Sequence, residues 1–424
     1  MTTKPIQTYL GLLSELLLAA VIATTLLARY NFNGQLIIAL FLTRFVQGHL
    51  KQRLILAGSS LFLGTCILMV LVNALGLLHT SDLPFGWYLL QKRATLAAIP
   101  FILLTNPKTG IRQRHHIQNI FCGLLLFTSL YCLFVNSWIY SQHRDISVFF
   151  YHSLVTPISQ NAIFFSAFMM IGLNYLLFGY DRRKAGTPSR WKNLRIILIG
   201  YFIVFILLLA SKLMLVLLGL VITLFLVQRR VLTQYRKIML GAGFALLSIV
   251  IVFALTKNPI RTRYQDIFKE APVKTDKISP GTYFNGLQLR LVEWKFGLEI
   301  IRENGAWLLG VSPGDAQHKL DRKYMDANMY LGKAGTADRG FLNYNFHNQF
   351  LEEFVQSGLA GLAALLFACV ALIRLALRAG NKEAGMTVVV LLSLFFTESS
   401  LQMQTGLFLF AFFPPLLSYS EQKT

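Results

Sequence analysis

Acidic residues are scarce in this chain, which has 19 Asp and Glu against 40 Lys and Arg. Charge of either sign is scarce as well, because charged residues make up 14% of the sequence and hydrophobic residues 55%. A soluble domain usually has about a quarter of its residues charged, and a chain this apolar is not expected to fold in water. The composition therefore excludes an ordinary soluble protein and predicts an all-α integral membrane protein.

Cysteines and several catalytic motifs are also scarce or missing. The four cysteines all fall inside apolar stretches, without a CxxC spacing, so neither a disulfide framework nor a zinc site is indicated. The sequence contains no GxxxxGK[ST] phosphate loop, no HExxH and no GxSxG motif. His318 and His347 are far apart in sequence and have no clear ligand partners. We therefore predict no bound metal and no cofactor.

Long apolar runs, by contrast, recur along most of the chain. Runs of about 18 residues or more are long enough to cross roughly 30 Å of hydrocarbon as a helix. They predict about twelve spans, near residues 9–27, 33–48, 54–77, 85–104, 117–139, 160–179, 194–211, 212–228, 238–256, 356–377, 384–401 and 404–418. The first run is expected to be a permanent span, because no small-residue cleavage site closes it.

Lys and Arg sort into alternate loops between these spans. One side receives the clusters near residues 44–53, 108–114, 182–195, 229–237 and 374–382, whereas the short loops on the other side hold Arg29 and Arg144. Positive loops are typically cytoplasmic, which predicts cytoplasmic termini and an external segment 257–347 between spans 9 and 10. The same clustering explains the net charge of +21 without a nucleic-acid partner.

The chain is thus predicted to have three regions: spans 1 to 9 in residues 1–256, a long basic loop in 257–347, and spans 10 to 12 with a tail in 348–424. A loop of this length is usually functional or disordered, and helical periodicity favours a folded cap. One helix is predicted over Leu287–Ile301, ending at Asn304-Gly305, and a second over 316–331 with Asp315 as its cap. The first helix has two faces, an apolar one with Leu287, Leu291, Trp294, Leu298 and Ile301 and a second with Arg290, Glu293 and Gly297.

His347 is the candidate general base of this loop. It precedes the amphipathic run that leads into the tenth span, so the imidazole is expected at a helix start near the outer membrane surface. The positive end of the helix dipole is expected to keep the ring neutral, which is the form that accepts a proton. The alternative is a histidine that only satisfies a buried hydrogen bond.

Four cations are candidate ligands for a diphosphate at the same membrane face. Arg290 has a planar fork that suits two phosphate oxygens, the alternatives being a solvated residue or an ion pair with Glu293. Lys212 lies between apolar residues without a neighbouring acid, so it either snorkels to the surface at a tight turn between spans 7 and 8 or binds an anion. The same two alternatives, snorkelling to the surface or binding an anion, apply to Lys92 and Arg93 at the outer end of the fourth span.

Three stretches in and directly after this loop are LQLRLVEWKFGLEII, WLLGVSPGD and NFHNQFLEEFVQSGLAGL. In their order and spacing they resemble the O-antigen ligase and O-antigen polymerase superfamily of bacterial membrane glycosyltransferases. The resemblance covers about residues 195–415, and the N-terminal half matches only as hydrophobic spans. Twelve spans with a large loop after the ninth also agree with the family.

The resemblance implies transfer of a glycan from undecaprenyl diphosphate to an acceptor, with inversion and without a metal, at the periplasmic face of the bacterial inner membrane. It implies that His347 activates the acceptor hydroxyl and that Arg290 holds the diphosphate. Lys212 falls where the family usually has an Arg, so the charge is kept but the bidentate geometry is lost. Asn348 belongs to the motif and is expected to fix the helix start.

The leading prediction is an O-antigen ligase that acts on a lipid A-core acceptor in lipopolysaccharide biosynthesis. The alternative is a polymerase that joins lipid-linked repeat units, since both share donor, loop and topology. A transporter or flippase is a third hypothesis. Transporters tend to have repeated halves and interrupted helices around a midplane site, and neither is visible in the sequence.

Overall fold

The computed structural model describes residues 3–28, 32–47, 50–105, 110–179, 189–227, 278–333, 335–336 and 338–419. Within these ranges the chain is helical and contains no strand, which confirms the predicted all-α class. The ninth predicted span, residues 238–256, and the first part of the predicted loop, residues 257–277, lie outside the described residues.

The helices before residue 228 are α1 (Thr3–Leu26), α2 (Asn33–Val46), α3 (Leu50–Ser59), α4 (Leu61–Gly76), α5 (Leu83–Arg93), α6 (Thr95–Leu104), α7 (Ile111–His143), α8 (Tyr151–Val155), α9 (Ala162–Asn174), α10 (Ser189–Leu209) and α11 (Lys212–Leu226). Those after residue 277 are α12 (Gly286–Glu303), α13 (Ala316–Asp326), α14 (Gln349–Ala379), α15 (Lys382–Thr397) and α16 (Gln404–Leu417). A short 3₁₀ turn, Ser400–Gln402, joins the last two helices.

Among the described residues, 5 helical stretches are long and apolar enough to cross a membrane: Thr8–Leu26, Leu61–His79, Ile111–His143, Ala162–Gly179 and Gln349–Ala379. Shorter apolar helices are Asn33–Val46, Asn193–Leu209, Lys212–Leu226 and Gln404–Leu417. Each predicted span that falls on described residues coincides with a helix or a pair of helices. The count of twelve spans stays a prediction.

Two predicted spans are broken in the structure. The third predicted span divides at Ser60, whose side chain accepts a hydrogen bond from the backbone N–H of Leu63 at 3.3 Å and starts α4. The fourth divides at Ala94, between α5 and α6. The consequence is that Lys92 and Arg93 form the last turn of α5, and the chain changes helix directly after them.

Helix α14 changes direction at Gly358. Its φ of 62° and ψ of −156° are non-helical, and glycine populates positive φ without the cost that a Cβ imposes. Residues 359–379 after the break rise roughly 31 Å, enough to cross the hydrocarbon alone. The segment before the break is therefore left at the end of the span, and it carries the buried polar residues Gln349, Glu352, Glu353 and Gln356.

The segment 307–312 lies beside this break. Val311 and Ser312 donate backbone hydrogen bonds to the carbonyl oxygens of Val355 and Gln356, at 2.9 and 3.1 Å. Beyond the break, Leu359 and Ala360 donate to the carbonyl oxygens of Trp307 and Leu308, at 2.8 and 3.2 Å. These bonds satisfy backbone groups that the interrupted helix leaves without partners, so the loop is joined to the end of the span.

The two predicted loop helices are present, with differences in packing and length. Helix α12 begins at Asn285, whose side chain accepts from Gln288 N while the Gln288 side chain accepts from Asn285 N, and it ends at Asn304 as predicted. On its predicted apolar face, Ile301 is buried whereas Leu287, Leu291 and Leu298 are exposed. Helix α13 ends at Asp326 rather than at residue 331, and Asn328, two residues after this end, adopts a left-handed φ of 52°.

The loop has its own small core, which explains the first of these differences. Helix α12 buries Val292, Phe296 and Ile300, which lie on a different side of the helix from the exposed leucines. This side is buried because it packs against Leu320 and Tyr324 of α13. The neighbouring face, which carries Glu293 and Gly297, points towards α14. A Cβ on Gly297 would lie 3.0 Å from the Leu351 side chain of that helix. The packing therefore aims Arg290 and Glu293 at the membrane helices.

Candidate functional site

His347 lies directly before the N-cap of α14. The Asn348 side chain accepts a hydrogen bond from Leu351 N at 3.0 Å and begins the helix, as predicted. His347 itself has a φ of 45°, a left-handed conformation that is uncommon outside glycine. Its backbone N–H donates to Asn345 Oδ1 at 2.9 Å. A strained backbone that neighbouring residues hold in place is frequent at functional positions.

Glu293 of α12 is the direct partner of the His347 ring. Glu293 Oε2 lies 2.9 Å from His347 Nδ1, and the carboxyl side chain is 0% exposed while the imidazole is 23% exposed. An ionised carboxylate can only accept, which assigns the proton of a neutral ring to Nδ1. Nε2 is then the nitrogen with the free lone pair. A carboxylate that accepts the Nδ1 proton and leaves Nε2 able to accept another proton is an arrangement that can serve general-base chemistry.

The pKa of His347 is set mainly by burial and by Glu293. Burial acts to lower the pKa of the imidazole, but the hydrogen bond and charge of Glu293, with the charge of Glu398, outweigh it and raise the pKa above its ordinary value. Burial also raises the pKa of Glu293, and the contact with His347 partly offsets this. The neutral ring stays a prediction, and the carboxylate at hydrogen-bond distance acts on the pKa of His347 in the direction opposite to the one expected from the helix dipole.

Arg290 is held by three acceptors that lie on two elements. Its Nε donates to the Thr397 carbonyl oxygen at 3.1 Å, Nη1 donates to the Gly286 carbonyl oxygen at 2.9 Å, and Nη2 donates to Glu398 Oε1 at 2.8 Å. The ion pair is therefore with Glu398, and the predicted alternative of a pair with Glu293 is not what forms. A guanidinium has five N–H groups, so one N–H on each terminal nitrogen is left for a ligand.

The turn 397–402, between α15 and α16, is the element on which the site is assembled. Besides the contacts of Arg290, its Ser399 Oγ accepts from Asn348 N at 3.4 Å, and the Lys92 ammonium donates to the Gln402 carbonyl oxygen at 2.7 Å. The turn thus places Arg290, Lys92 and the start of α14 around one end of the helix bundle. Sequence reasoning assigned residues 384–401 to a span and missed this turn, although Glu398 is an acid inside an apolar run.

Arg93 points in another direction and is nearly fully buried. Its Nη1 lies 2.8 Å from Glu353 Oε1, and Nη2 donates to Gln356 Oε1 at 2.9 Å. Both partners belong to the outer part of α14, so Arg93 joins α5 to that segment. With both terminal nitrogens engaged and the side chain enclosed, Arg93 is poorly placed to bind a diphosphate, which corrects the prediction that grouped it with Lys92.

Lys212 is the first residue of α11 and is half-buried. The predicted tight turn after span 7 is present: α10 ends at Leu209, Ala210 adopts a φ of 47°, and Ser211 is the N-cap of α11. Ala210 packs with Phe150, so the turn lies against the 146–150 segment. That Lys212 acts together with Arg290 stays a prediction.

Asp315 joins the loop to the start of α5. It was predicted to cap α13, but its carboxylate makes no cap hydrogen bond and instead accepts from Ser81 N at 2.9 Å and Asp82 N at 3.2 Å. Burial acts to raise the pKa of Asp315, but the hydrogen bonds of Ser81 and Ser312 outweigh it and lower the pKa. A Cβ on Gly314 would lie 2.3 Å from Thr80 Oγ1, so the contact is close and specific.

Comparison with known families places this site in context. Residues 196–366 match a family model described as O-antigen ligase, a range that begins within α10, includes α11 to α13 and ends within α14. Arg290, Glu293 and His347 all lie within it. No curated protein matches the chain. Among the described residues, no group of three or more His, Cys, Asp or Glu side chains could hold a metal ion.

Proposed function

We propose that this multi-pass membrane protein, whose residues 196–366 match the O-antigen ligase family model, transfers a polysaccharide from undecaprenyl diphosphate to a lipid A-core acceptor. The observation that carries the proposal is the Glu293–His347 pair beside Arg290 at the end of α15. It combines a base and a phosphate-binding cation at the membrane boundary, where a substrate with a lipid tail and a polar head is found.

In the proposed reaction, His347 Nε2 accepts the proton of the acceptor hydroxyl. The hydroxyl oxygen attacks the anomeric carbon, the bond from that carbon to the diphosphate oxygen breaks, and undecaprenyl diphosphate leaves with the electron pair. Attack opposite the leaving group inverts the anomeric carbon. Glu293 stabilises the imidazolium that forms, because a buried carboxylate 2.9 Å away favours the charged ring. The proton later returns to water, so no cofactor or metal takes part in the proposal.

Arg290 is proposed to hold the departing diphosphate. The three bonds to Thr397, Gly286 and Glu398 fix its plane, and two N–H groups remain for two phosphate oxygens. Preorganised donors of this kind stabilise charge that develops in the transition state. Lys92, over the same turn, and Lys212 are proposed as further diphosphate ligands, whereas Arg93 is proposed to position α5.

The proposed topology has twelve spans, cytoplasmic termini and the 257–347 loop in the periplasm. It is supported by the basic residues Arg374, Arg378 and Lys382, which lie at the end of α14 and the start of α15, opposite to the end that carries Arg290 and Glu398. The site would then face the periplasm, at the outer boundary of the inner membrane.

The test is transfer in detergent, with purified protein, a labelled undecaprenyl-diphosphate glycan and lipid A-core. A ligase moves the label onto lipid A-core, whereas the alternative polymerase lengthens the chain on undecaprenyl diphosphate; gel analysis separates the two. His347→Ala should give no product, and His143→Ala, at the exposed end of α7, should behave as wild type. Absence of both products with folded wild-type protein would overturn the proposal.

Two further observations separate the alternatives. In cells, loss of a ligase leaves long chains on undecaprenyl diphosphate, whereas loss of a polymerase leaves single repeats on the core. A transporter or flippase moves substrate between compartments and does not make a glycosidic bond. Product formation in detergent, where no compartments exist, would therefore exclude transport as the only activity.

A further inference from the structure

Two arginines lie together at the other end of the helix bundle, away from the candidate site. Arg44 is in the last turn of α2, and Arg53 is in the first turns of α3. The two arginines are nine positions apart in sequence, and a short link joins their helices. Both belong to the basic cluster 44–53, on the side predicted to be cytoplasmic.

Arg53 is buried without a counter-charge. Its side chain is 3% exposed, and Nε and Nη1 have no hydrogen-bond partner in the part of the chain that the structure describes. Among the same residues, the charged group that acts on it is another cation, Arg44. A charge that is removed from water and repelled by its neighbour destabilises the fold unless an anion is supplied.

The helix geometry adds to this cost. Lys51 and Arg53 lie near the N-terminus of α3, and the first turn of this helix contains no acidic residue. The N-terminal end of a helix carries a partial positive charge, which disfavours cations and favours anions. Arg44, at the C-terminal end of α2, is well placed, and Glu15 of α1 acts on its charge. The deficit of negative charge is therefore at Arg53 and the start of α3.

We propose that Arg44, Arg53 and the N-terminus of α3 bind a phosphate group, whose source is the head group of an anionic membrane lipid or free phosphate. The guanidinium forks present two parallel donors that match phosphate oxygens. The predicted cytoplasmic leaflet supplies such head groups next to these helices. This inference concerns a site separate from His347 and does not rest on the proposed transfer reaction.

The test uses the purified full chain in a nonionic detergent, with Arg53→Gln, Arg44→Gln and a matched control, Arg378→Gln. Arg378 is exposed in the last turn of α14, where a cation is favourable. The Tm is measured without additive and with phosphatidylglycerol, phosphatidylcholine or inorganic phosphate. Native mass spectrometry of the same samples counts the bound lipid.

Wild type and Arg378→Gln should gain roughly 5 °C in Tm with excess phosphatidylglycerol, as expected for a ligand that binds only the folded state. A gain with inorganic phosphate as well identifies free phosphate as a ligand. Arg53→Gln should be at least as stable as wild type without additive, because it removes an uncompensated charge, and should lose the gain. Arg44→Gln should show a smaller gain.

Three results would overturn the proposal. One is that neither phosphatidylglycerol nor phosphate changes the Tm of wild type. Another is an equal gain in Arg53→Gln and wild type, or with phosphatidylcholine. The third is that Arg53→Gln unfolds without additive while Arg44→Gln gains as much Tm with phosphatidylglycerol as wild type does, since the Arg53 guanidinium would then stabilise the fold through the protein itself.

Discussion

Replacing Glu293 by Gln tests whether the negative charge of Glu293 assists His347 as a base. Glutamine keeps the shape of the side chain and can still accept the Nδ1 proton, but it removes the negative charge 2.9 Å from the ring. A hydrogen bond to a charged group contributes about 1.5–3 kcal/mol, and Glu293 is fully buried, so solvent does not screen it. At about 1.4 kcal/mol per tenfold, the transfer rate should fall roughly 10- to 150-fold.

The pH dependence gives the second readout of the same variant. A base works only when deprotonated, so the raised pKa of His347 places the acidic limb of kcat/KM above the ordinary pKa of an imidazole. In Glu293→Gln the burial that lowers the pKa of His347 remains while the negative charge that raises it is gone, so the limb should move to lower pH.

The assay is initial-rate transfer of labelled glycan from pH 5 to 9, compared with Glu303→Gln on the exposed side of the same helix. The control should match wild type. A Glu293→Gln enzyme with the wild-type rate and an unmoved acidic limb would refute the pairing of Glu293 with the base.

Three other changes follow from the contacts. Arg290→Lys cannot reproduce the bonds to Thr397, Gly286 and Glu398, so kcat/KM for the donor should fall roughly 10- to 100-fold. An unchanged kcat/KM in a donor titration would argue against contact between Arg290 and phosphate. Gly358→Ala places a Cβ against the Leu308 carbonyl carbon at a positive φ, so size exclusion should show little folded protein, whereas Gly385→Ala, where the added Cβ meets open space, should elute as wild type. Asp315→Ala removes the acceptor of Ser81 and Asp82; cleavage of the loop by protease should accelerate, and unchanged cleavage would show that this contact does not hold it.

Much of the helical framework could be predicted from sequence. Each predicted span among the described residues falls on a helix, because a run of apolar residues in a membrane has few alternatives to helix. The start of α14 at Asn348 and the end of α12 at Asn304 could also be predicted, since capping depends on residues only a few positions apart. The breaks at Ser60, Ala94 and Gly358 were not predicted, because hydropathy does not detect a short interruption.

The site could be predicted only in part, because several of its contacts join residues that are far apart in sequence. His347 and Arg290 were identified through the family motifs, but Glu293 is 54 positions from His347 in sequence, and their hydrogen bond depends on how α12 crosses α14. Arg93 and Lys92 are adjacent in sequence, yet one meets Glu353 and the other Gln402, because successive side chains on a helix point about 100° apart. Burial of the Val292 face, rather than that of Leu291, likewise depends on α13.

Single-turnover transfer by His347→Gln tests whether His347 takes the proton of the acceptor hydroxyl. Glutamine fills a similar volume but cannot act as a base near neutral pH. With the donor prebound and acceptor added, wild type should convert the labelled donor to product, whereas His347→Gln should bind the donor with similar affinity and transfer it at least 100-fold more slowly, as for loss of a general base. Transfer by His347→Gln at the wild-type rate would contradict the account.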